Sequence, residues 1–507
     1  MDLIGLDIGS TGAKCIITNS DGNVMAQAYE EYSMESPISG YFELNPQIVW
    51  EAVQSIMHSV IREYNKRSTH LAGISISSFG EAAVFIDKEG RELGNSLLYI
   101  DSRGNEQLKA FIKKIEADEI IHKTGLKPHS MYTLSKLMWY REEQPDIYAK
   151  IHTFLPFGSY ILYKLGAGPI LDYSLASRTM AFDVRRLQWD EHIIEVAGLH
   201  KRIFPEIAAL GTVVGQISLE AAQNFGLPSD FKLVLGGHDQ VCAAIGAGIT
   251  EEGSAVDGIG TVECITPVFS KETINQQDMA SSNLALVPFI KGKYATYAFN
   301  FTGGSLLKWY RDQFGYEEKM EADLTGRSVY DIMSENVSDS PTNILVLPHF
   351  AGSGTPYMNP LAVGAVLGID FNTTKSDLFR ALMEGVTYEM RQNIECLEQA
   401  GIRIDKLRAC GGGAKSDLWL QIKADIMNKT IVALDIDEAG ILGTIILCGV
   451  ALGEFSSYEE ATRRLVKVNK TFHPQAKNRK QYDENYAKYK RLYQAVNEVM
   501  SNEPMER

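Results

Sequence analysis

The pentapeptide Gly236-Gly237-His238-Asp239-Gln240 follows the apolar run Lys232-Leu233-Val234-Leu235 and leads into a helical stretch, residues 241–246. A carboxylate at a strand end is well placed as a general base, which makes Asp239 a candidate proton acceptor; the competing reading is a helix-start cap. His238 has no second histidine at metal spacing, so a ligand role has no support. A second pattern, Asp7-Ile8-Gly9-Ser10-Thr11-Gly12 followed by Lys14, joins an acidic side chain to a small-residue turn. Its N–H groups and the Ser10 and Thr11 hydroxyls can line an anion-binding concavity, and Asp7 can hold a divalent metal through water. The third pattern spans residues 407–419 and contains Gly411-Gly412-Gly413-Ala414, with Ser416 as N-cap of a following helix. Glycine backbone can approach a flat or charged ligand closely, and a helix start favours anions; in isolation the loop reads first as a tight connection. No Gly-x-x-x-x-Gly-Lys-Ser/Thr loop and no protein-kinase signature occurs in the chain.

The elements that must hold these residues alternate between strands and helices. Residues 3–8 and 13–18 flank the first turn as a hairpin, and residues 24–28 add a third antiparallel strand after Asp21-Gly22. Helical spacing of Ile48, Val49, Ala52, Val53, Ile56, Met57, Val60 and Ile61 predicts a helix from Pro46 to Tyr64, and residues 71–77 read as a buried strand. This layering is α/β. A similar opening recurs at residues 254–261, where Asp257-Gly258-Ile259-Gly260-Thr261 stands 250 positions after Asp7; it reads either as coincidence between common glycine-rich turns or as two similar domains. The glycine-rich stretch 246–253 marks the expected boundary, giving domains 1–248 and 249–507, with room for the last helix to pack back on the first. Tyr482, Tyr486, Tyr489, Leu492, Tyr493 and Val496 lie at helical spacing and read as a packed face.

Sixty-four acidic side chains against 49 basic ones give a formal charge of −15, opposite to what a phosphodiester backbone would select. The six cysteines include no Cys-x-x-Cys, which removes zinc ribbons and thioredoxin-like redox sites. Asp2 and Asp7 interrupt the first apolar stretch, no signal peptide is evident, and the apolar run 439–453 is shorter than a membrane helix requires. The expected home is a reducing cytoplasm.

In this order, the motifs resemble the FGGY family of carbohydrate kinases, within the superfamily of sugar kinases, Hsp70 and actin, over nearly the whole chain. Residues 7–11 with Lys14 are similar to the family's first phosphate loop, Gly258-Ile259-Gly260-Thr261 to its second, and residues 407–419 to its adenosine motif. Residues 364–370 followed by 378–385 resemble the C-terminal signature. Residues 131–139, with Lys136 and Trp139, resemble the N-terminal one. The resemblance implies two ribonuclease H-like domains with a central ATP/sugar cleft. It implies ATP-dependent phosphorylation of a hydroxyl of a small sugar or polyol, such as a ketopentose or deoxyketohexose. Asp239 falls where the family has its base, with Asp7 and Asp239 toward Mg²⁺. Ser10, Thr11, Lys14, Gly260, Thr261, Gly304 and Lys308 fall near the phosphates, and Gly411, Gly412, Gly413 and Ala414 near adenosine. The loop Phe79-Gly80-Glu81 falls where members divide by substrate, and Asp101 and Arg103 match a segment lining the sugar pocket. The implied partners are ATP and a sugar, without nucleic acid or membrane; a homodimer stays open. Two departures stand out: Val262 replaces a serine that would offer phosphate a hydroxyl, and Tyr140 replaces an aliphatic residue. The rival from another class is an actin-like or Hsp70-like ATPase with a conformational output. That reading needs no sugar-facing carboxylate and expects a peptide-binding or filament-forming region, whereas here nucleotide motifs fill the second half.

Overall fold

The structure, a computed structural model, describes residues 1–65 and 70–500. The chain forms two compact units. The first comprises Met1–Thr250, Ala285–Ala295 and Glu438–Val466; the second comprises Glu251–Leu284, Thr296–Asp437 and the chain from Lys467 onward. The division near residue 250 lies beside the glycine-rich stretch, but two segments from the second half belong to the first unit. The segment that returns is Glu438–Val466, whereas the last helix, Leu492–Met500, which the sequence left room to pack on the first domain, falls in the second unit.

In the first unit, β1 (Asp2–Ile8), β2 (Gly12–Thr18) and β3 (Val24–Glu31) form the expected antiparallel meander, and β4 (Leu71–Ser78) lies parallel to β1. β5 (Val213–Gln216) and β6 (Lys232–Val234) complete the order β5-β6-β4-β1-β2-β3, with β6 parallel to β4. Leu3, Ile4, Leu6 and Ile8 are all buried because β1 is covered on both faces, which explains its unbroken apolar run. The helix Pro46–Tyr64 forms as the spacing predicts, capped by Asn45, whose side chain accepts the Gln47 N–H. Ile48 alone of the residues assigned to its apolar side is exposed.

The apolar run at 439–453 becomes the helix Ala439–Ala451, packed on β1 and β4 of the first unit. A Cβ on Gly5 of β1 would come 2.6 Å from Ile441, so this strand is a seat for the helix. The same helix crosses the helix Asp239–Gly246 backbone to backbone: a Cβ on Gly443 would meet the Cys242 carbonyl at 1.9 Å. Among the described residues, no helix is long and apolar enough to cross a membrane.

The second unit repeats the plan. β7 (Gly253–Ile259) pairs antiparallel with β8 (Glu263–Phe269), which pairs with β9 (Ala298–Asn300). On its other side β7 runs parallel to β10 (Ile404–Cys410), followed by β11 (Thr430–Leu434) and β12 (Val468–Phe472). Asp7 and Asp257 thus occupy equivalent places, each on a strand with a hairpin partner on one side and a parallel neighbour on the other. The tyrosines of the helix Ala476–Tyr489 are buried, as their spacing requires.

Candidate active site

Three parallel strands of the first unit end at one edge, and each ends near a carboxylate. Asp7 closes β1, Glu81 follows β4, and Asp239 follows β6. The carboxyl ends of parallel strands are where α/β sheets place ligands, because the loops there diverge and leave backbone groups exposed.

Asp239 begins the helix Asp239–Gly246, so the helix starts two residues before the spacing suggests. His238 takes the N-cap position, and its Nδ1 lies 3.2 Å from the Gln240 N–H and 2.9 Å from Asp239 Oδ1. The Gln240 N–H also donates to Asp239 Oδ1 at 2.5 Å. Crowding by protein raises the Asp239 pKa, but the neighbouring His238, the Gln240 N–H and the Arg178 charge outweigh it and hold the carboxyl below its usual range. Asp239 therefore stays ionised, as a proton acceptor must. Its backbone is anchored from behind: the His238 N–H donates to Ser174 Oγ, which donates to the buried Asp172.

Asp7 shows the opposite tendency. Burial, with the charges of Asp239 and Glu438 added, pushes its carboxyl up to about 7 against the hydrogen bond donated by Ser77. The turn after it is closed by the Gly9 N–H donating to Gly12 O at 2.9 Å, and Tyr32 donates to Gly9 O at 2.7 Å. Lys14 points its ammonium at Glu438, 2.6 Å away.

Glu81 has a φ of +64°, a left-handed conformation unusual for a side chain of its size. Arg178 holds it there: Nε and Nη2 both reach Oε1 at 2.6 Å, while Thr133 Oγ1 donates to the Glu81 carbonyl at 2.6 Å. The Arg178 guanidinium sits over the Tyr132 ring at 5.2 Å. Gly80 must be glycine, since a Cβ would come 2.8 Å from His238 and 2.9 Å from Arg178. Phe79 is buried against Phe157, at 5.3 Å between ring centroids, and so serves the core beneath the loop. Asp101 and Arg103 pair with each other and are buried. Asp101 also accepts the Phe42 N–H, Arg103 also pairs with Glu43 and lies between Tyr41 and Trp139, and Lys136 donates to both backbone carbonyls. Their polar groups are turned on one another, which fits a scaffold better than a direct ligand contact.

In the second unit, Gly260 and Thr261 form an exposed turn tied to the start of the helix Gly304–Phe314. The Gly304 N–H donates to Gly260 O at 2.8 Å and the Gly303 N–H to Thr261 O at 2.9 Å. Lys308 lies on that helix, exposed, and Val262 presents an apolar side chain to solvent. The triple glycine divides by role. Gly411, at φ +89°, would put a Cβ 2.8 Å from Ile259 O, and Gly413 would clash with Ile259 and Trp419, so both are needed for packing. A Cβ on Gly412 would meet nothing, which leaves this glycine open to a ligand. Ala414 is buried beneath, and Ser416 caps the helix Asp417–Met427 by accepting the Trp419 N–H.

Sequence reasoning missed Arg178, Ser174 and Glu438, and it gave no role to Ser77, which opens the substrate loop 77–82, or to Thr133, which lies in the motif 131–139. Arg178 alone left a trace, as a charge inside the otherwise uncharged run 174–182. Ser77 meets Asp7 because β4 lies beside β1, and Glu438 meets Lys14 at the start of the returning segment, whereas Thr133 and Ser174 reach Glu81 and His238 from the helices Thr133–Glu143 and Tyr173–Ser177.

The sequence models of the FGGY family of carbohydrate kinases match the chain twice, the N-terminal domain at residues 3–246 and the C-terminal domain at 259–452. A xylulose kinase of Bacillus subtilis is 27% identical over 97% of this chain and 96% of its own length. A glycerol kinase of Thermococcus gammatolerans is 29% identical over 93% of each. The crystal structure of a ligand-bound xylulose kinase from Lactobacillus acidophilus shares the fold, with a TM-score of 0.87, 23% identity and 98% of both chains covered. With both family domains present in order and the carboxylate-lined sheet edge in the first, the chain belongs to the FGGY family of carbohydrate kinases.

Proposed function

We propose that this carbohydrate kinase transfers the γ-phosphoryl group of ATP to a hydroxyl of a small polyol-like sugar, with Asp239 as general base. The observation that carries the reading is the gathering of Asp7, Glu81 and Asp239 at the carboxyl ends of three parallel strands, with Asp239 held ionised. Asp239 accepts the proton of the attacking hydroxyl, and Glu81, fixed by Arg178, orients the sugar through hydrogen bonds from other hydroxyls. The relatives named xylulose kinase and glycerol kinase support a short, neutral, hydroxyl-rich substrate; ketopentose is the first choice.

The nucleotide reading assigns Ser10, Thr11, Gly260, Thr261, Gly304 and Lys308 to the phosphates and the loop 411–414 to adenosine, with Gly412 the residue whose open face fits a ligand. Lys14 reaches phosphate only by leaving Glu438. Mg²⁺ fits beside Asp7, where it would relieve the crowding of Asp7, Asp239 and Glu438 and neutralise charge on the phosphate oxygens. A cation there would be held largely through water and the nucleotide's phosphates. The actin-like or Hsp70-like alternative is not favoured, since both halves match carbohydrate-kinase domains.

A panel of ketopentoses, 6-deoxyketohexoses, aldonates and glycerol, assayed for ADP release with ATP and Mg²⁺, tests the proposal. At least one should raise ADP production well above the sugar-free rate; a flat response across the panel would reject it.

A further inference from the structure

Beneath the second glycine turn lies a charged cluster that the reaction itself does not use. Lys423, on the helix Asp417–Met427, is fully buried, and its ammonium pairs with Glu263 and lies 3.1 Å from Asp257 Oδ2, both also fully buried. Asp257 ends the approach to the turn on β7, and Glu263 begins β8, so the two carboxyls bracket residues 258–262. The helix bearing Lys423 starts directly after the loop 411–416. Trp419 of that helix has its ring 5.4 Å from the ammonium, and Gly413 packs on Ile259 between the two loops. Lys423 therefore joins the segment carrying one glycine loop to the hairpin carrying the other.

A buried ion cluster is a poor source of stability, because desolvation of each charge offsets most of the attraction, and apolar residues of equal volume often do as well. What it supplies is a single preferred geometry: an ammonium between two carboxylates holds its distance and direction, where an apolar contact can slide. Burial, with the nearby Asp257 charge, pushes the Glu263 carboxyl up against the pull of Lys423.

We propose that Lys423, with Asp257 and Glu263, is a positioning element that sets the spacing between the Gly260-Thr261 turn and the Gly411–Ala414 loop, and so the fit of one nucleotide to both; this rests on the nucleotide reading above. The three residues touch no ligand. They act by keeping backbone N–H groups of the two loops in register with each other.

The test uses the full-length protein and ADP as probe. The triple variant Lys423→Met, Glu263→Gln, Asp257→Asn removes the charges at nearly constant volume. It should melt within a few degrees of the wild type, yet bind ADP at least tenfold more weakly by calorimetry. Amide hydrogen exchange should quicken at Gly260 and Gly412, with the KM for sugar unchanged. Lys423→Met alone, which strands two buried carboxyls, should lower both melting temperature and ADP affinity. Wild-type ADP affinity in the triple variant overturns the inference, as does its failure to fold, which would make the cluster a requirement of the fold. Gly412→Val separates the two readings. If it binds ADP as the wild type does, the nucleotide reading fails and the inference falls with it; if it alone is impaired, only the inference is lost.

Discussion

Asp239 and Asp7 are the same side chain in one site with opposite tendencies, and the difference lies in their partners. Asp239 has His238, a backbone N–H and the Arg178 charge; Asp7 has a serine and two neighbouring carboxylates. Asp239→Asn keeps the shape and the Gln240 N–H bond but removes the proton acceptor, so kcat should fall on the order of 10² to 10⁴-fold. ADP binding should persist, as calorimetry would show; near-wild-type turnover would remove Asp239 from the mechanism. At Glu81, hydrogen bonds to a charged group contribute about 1.5 to 3 kcal/mol each, so Glu81→Ala should raise the sugar KM at least about tenfold. The KM for ATP should barely move. Steady-state titration of the best panel sugar at saturating ATP decides it, and an unchanged sugar KM would assign Glu81 to the scaffold with Asp101 and Arg103.

At the scale of elements, the loop 411–414 shows how a motif divides its labour. Gly411 and Gly413 are fixed by backbone conformation and by Ile259, and only Gly412 faces open space. Gly412→Val should therefore fold normally and raise the KM for ATP, while Gly413→Val should lower the melting temperature through its clash with Ile259 and Trp419. Thermal melts beside ATP titrations distinguish the two, and a Gly412→Val enzyme with wild-type KM would return the whole loop to a packing role. The strands, the first helix and the glycine turns were legible in the sequence because each rests on local signals: alternation, helical spacing, caps and turn residues. Arg178 was not, since its partner Glu81 lies 97 positions away and Arg178 follows the short helix Tyr173–Ser177, whose Ser174 accepts the His238 N–H. The helix Ala439–Ala451 was legible as too short for a membrane, yet nothing local to it shows that its glycines face Cys242 and β1.

Across the whole molecule, buried carboxyls make stability depend on pH. Glu263 is pushed up to about 8, and burial pushes Asp172 up to about 6 against the hydrogen bonds it accepts from Ser174 and Leu175. Above pH 5 the unfolded chain has released these protons, while the folded protein keeps that of Asp172 to about pH 6 and that of Glu263 to about pH 8. Unfolding then releases protons, and stability falls as pH rises through this window. The melting temperature should drop from pH 6 to pH 8, and Glu263→Gln, which cannot titrate, should show a smaller drop. Parallel curves for the two proteins would mean that Glu263 is ionised throughout.

The returning segment Glu438–Val466 also orders events during synthesis. When the ribosome has made residues 1–250, every strand of the first sheet exists, but the helix that covers β1 and β4 is still nearly two hundred codons away. The nascent first unit must wait with Gly5 and its apolar neighbours uncovered while the second unit's strands emerge, so completion of the first unit comes late, not first. Ribosome-stalled chains ending before residue 438 should stay sensitive to protease throughout residues 1–250, and those extended beyond residue 466 by the length of the exit tunnel should become resistant.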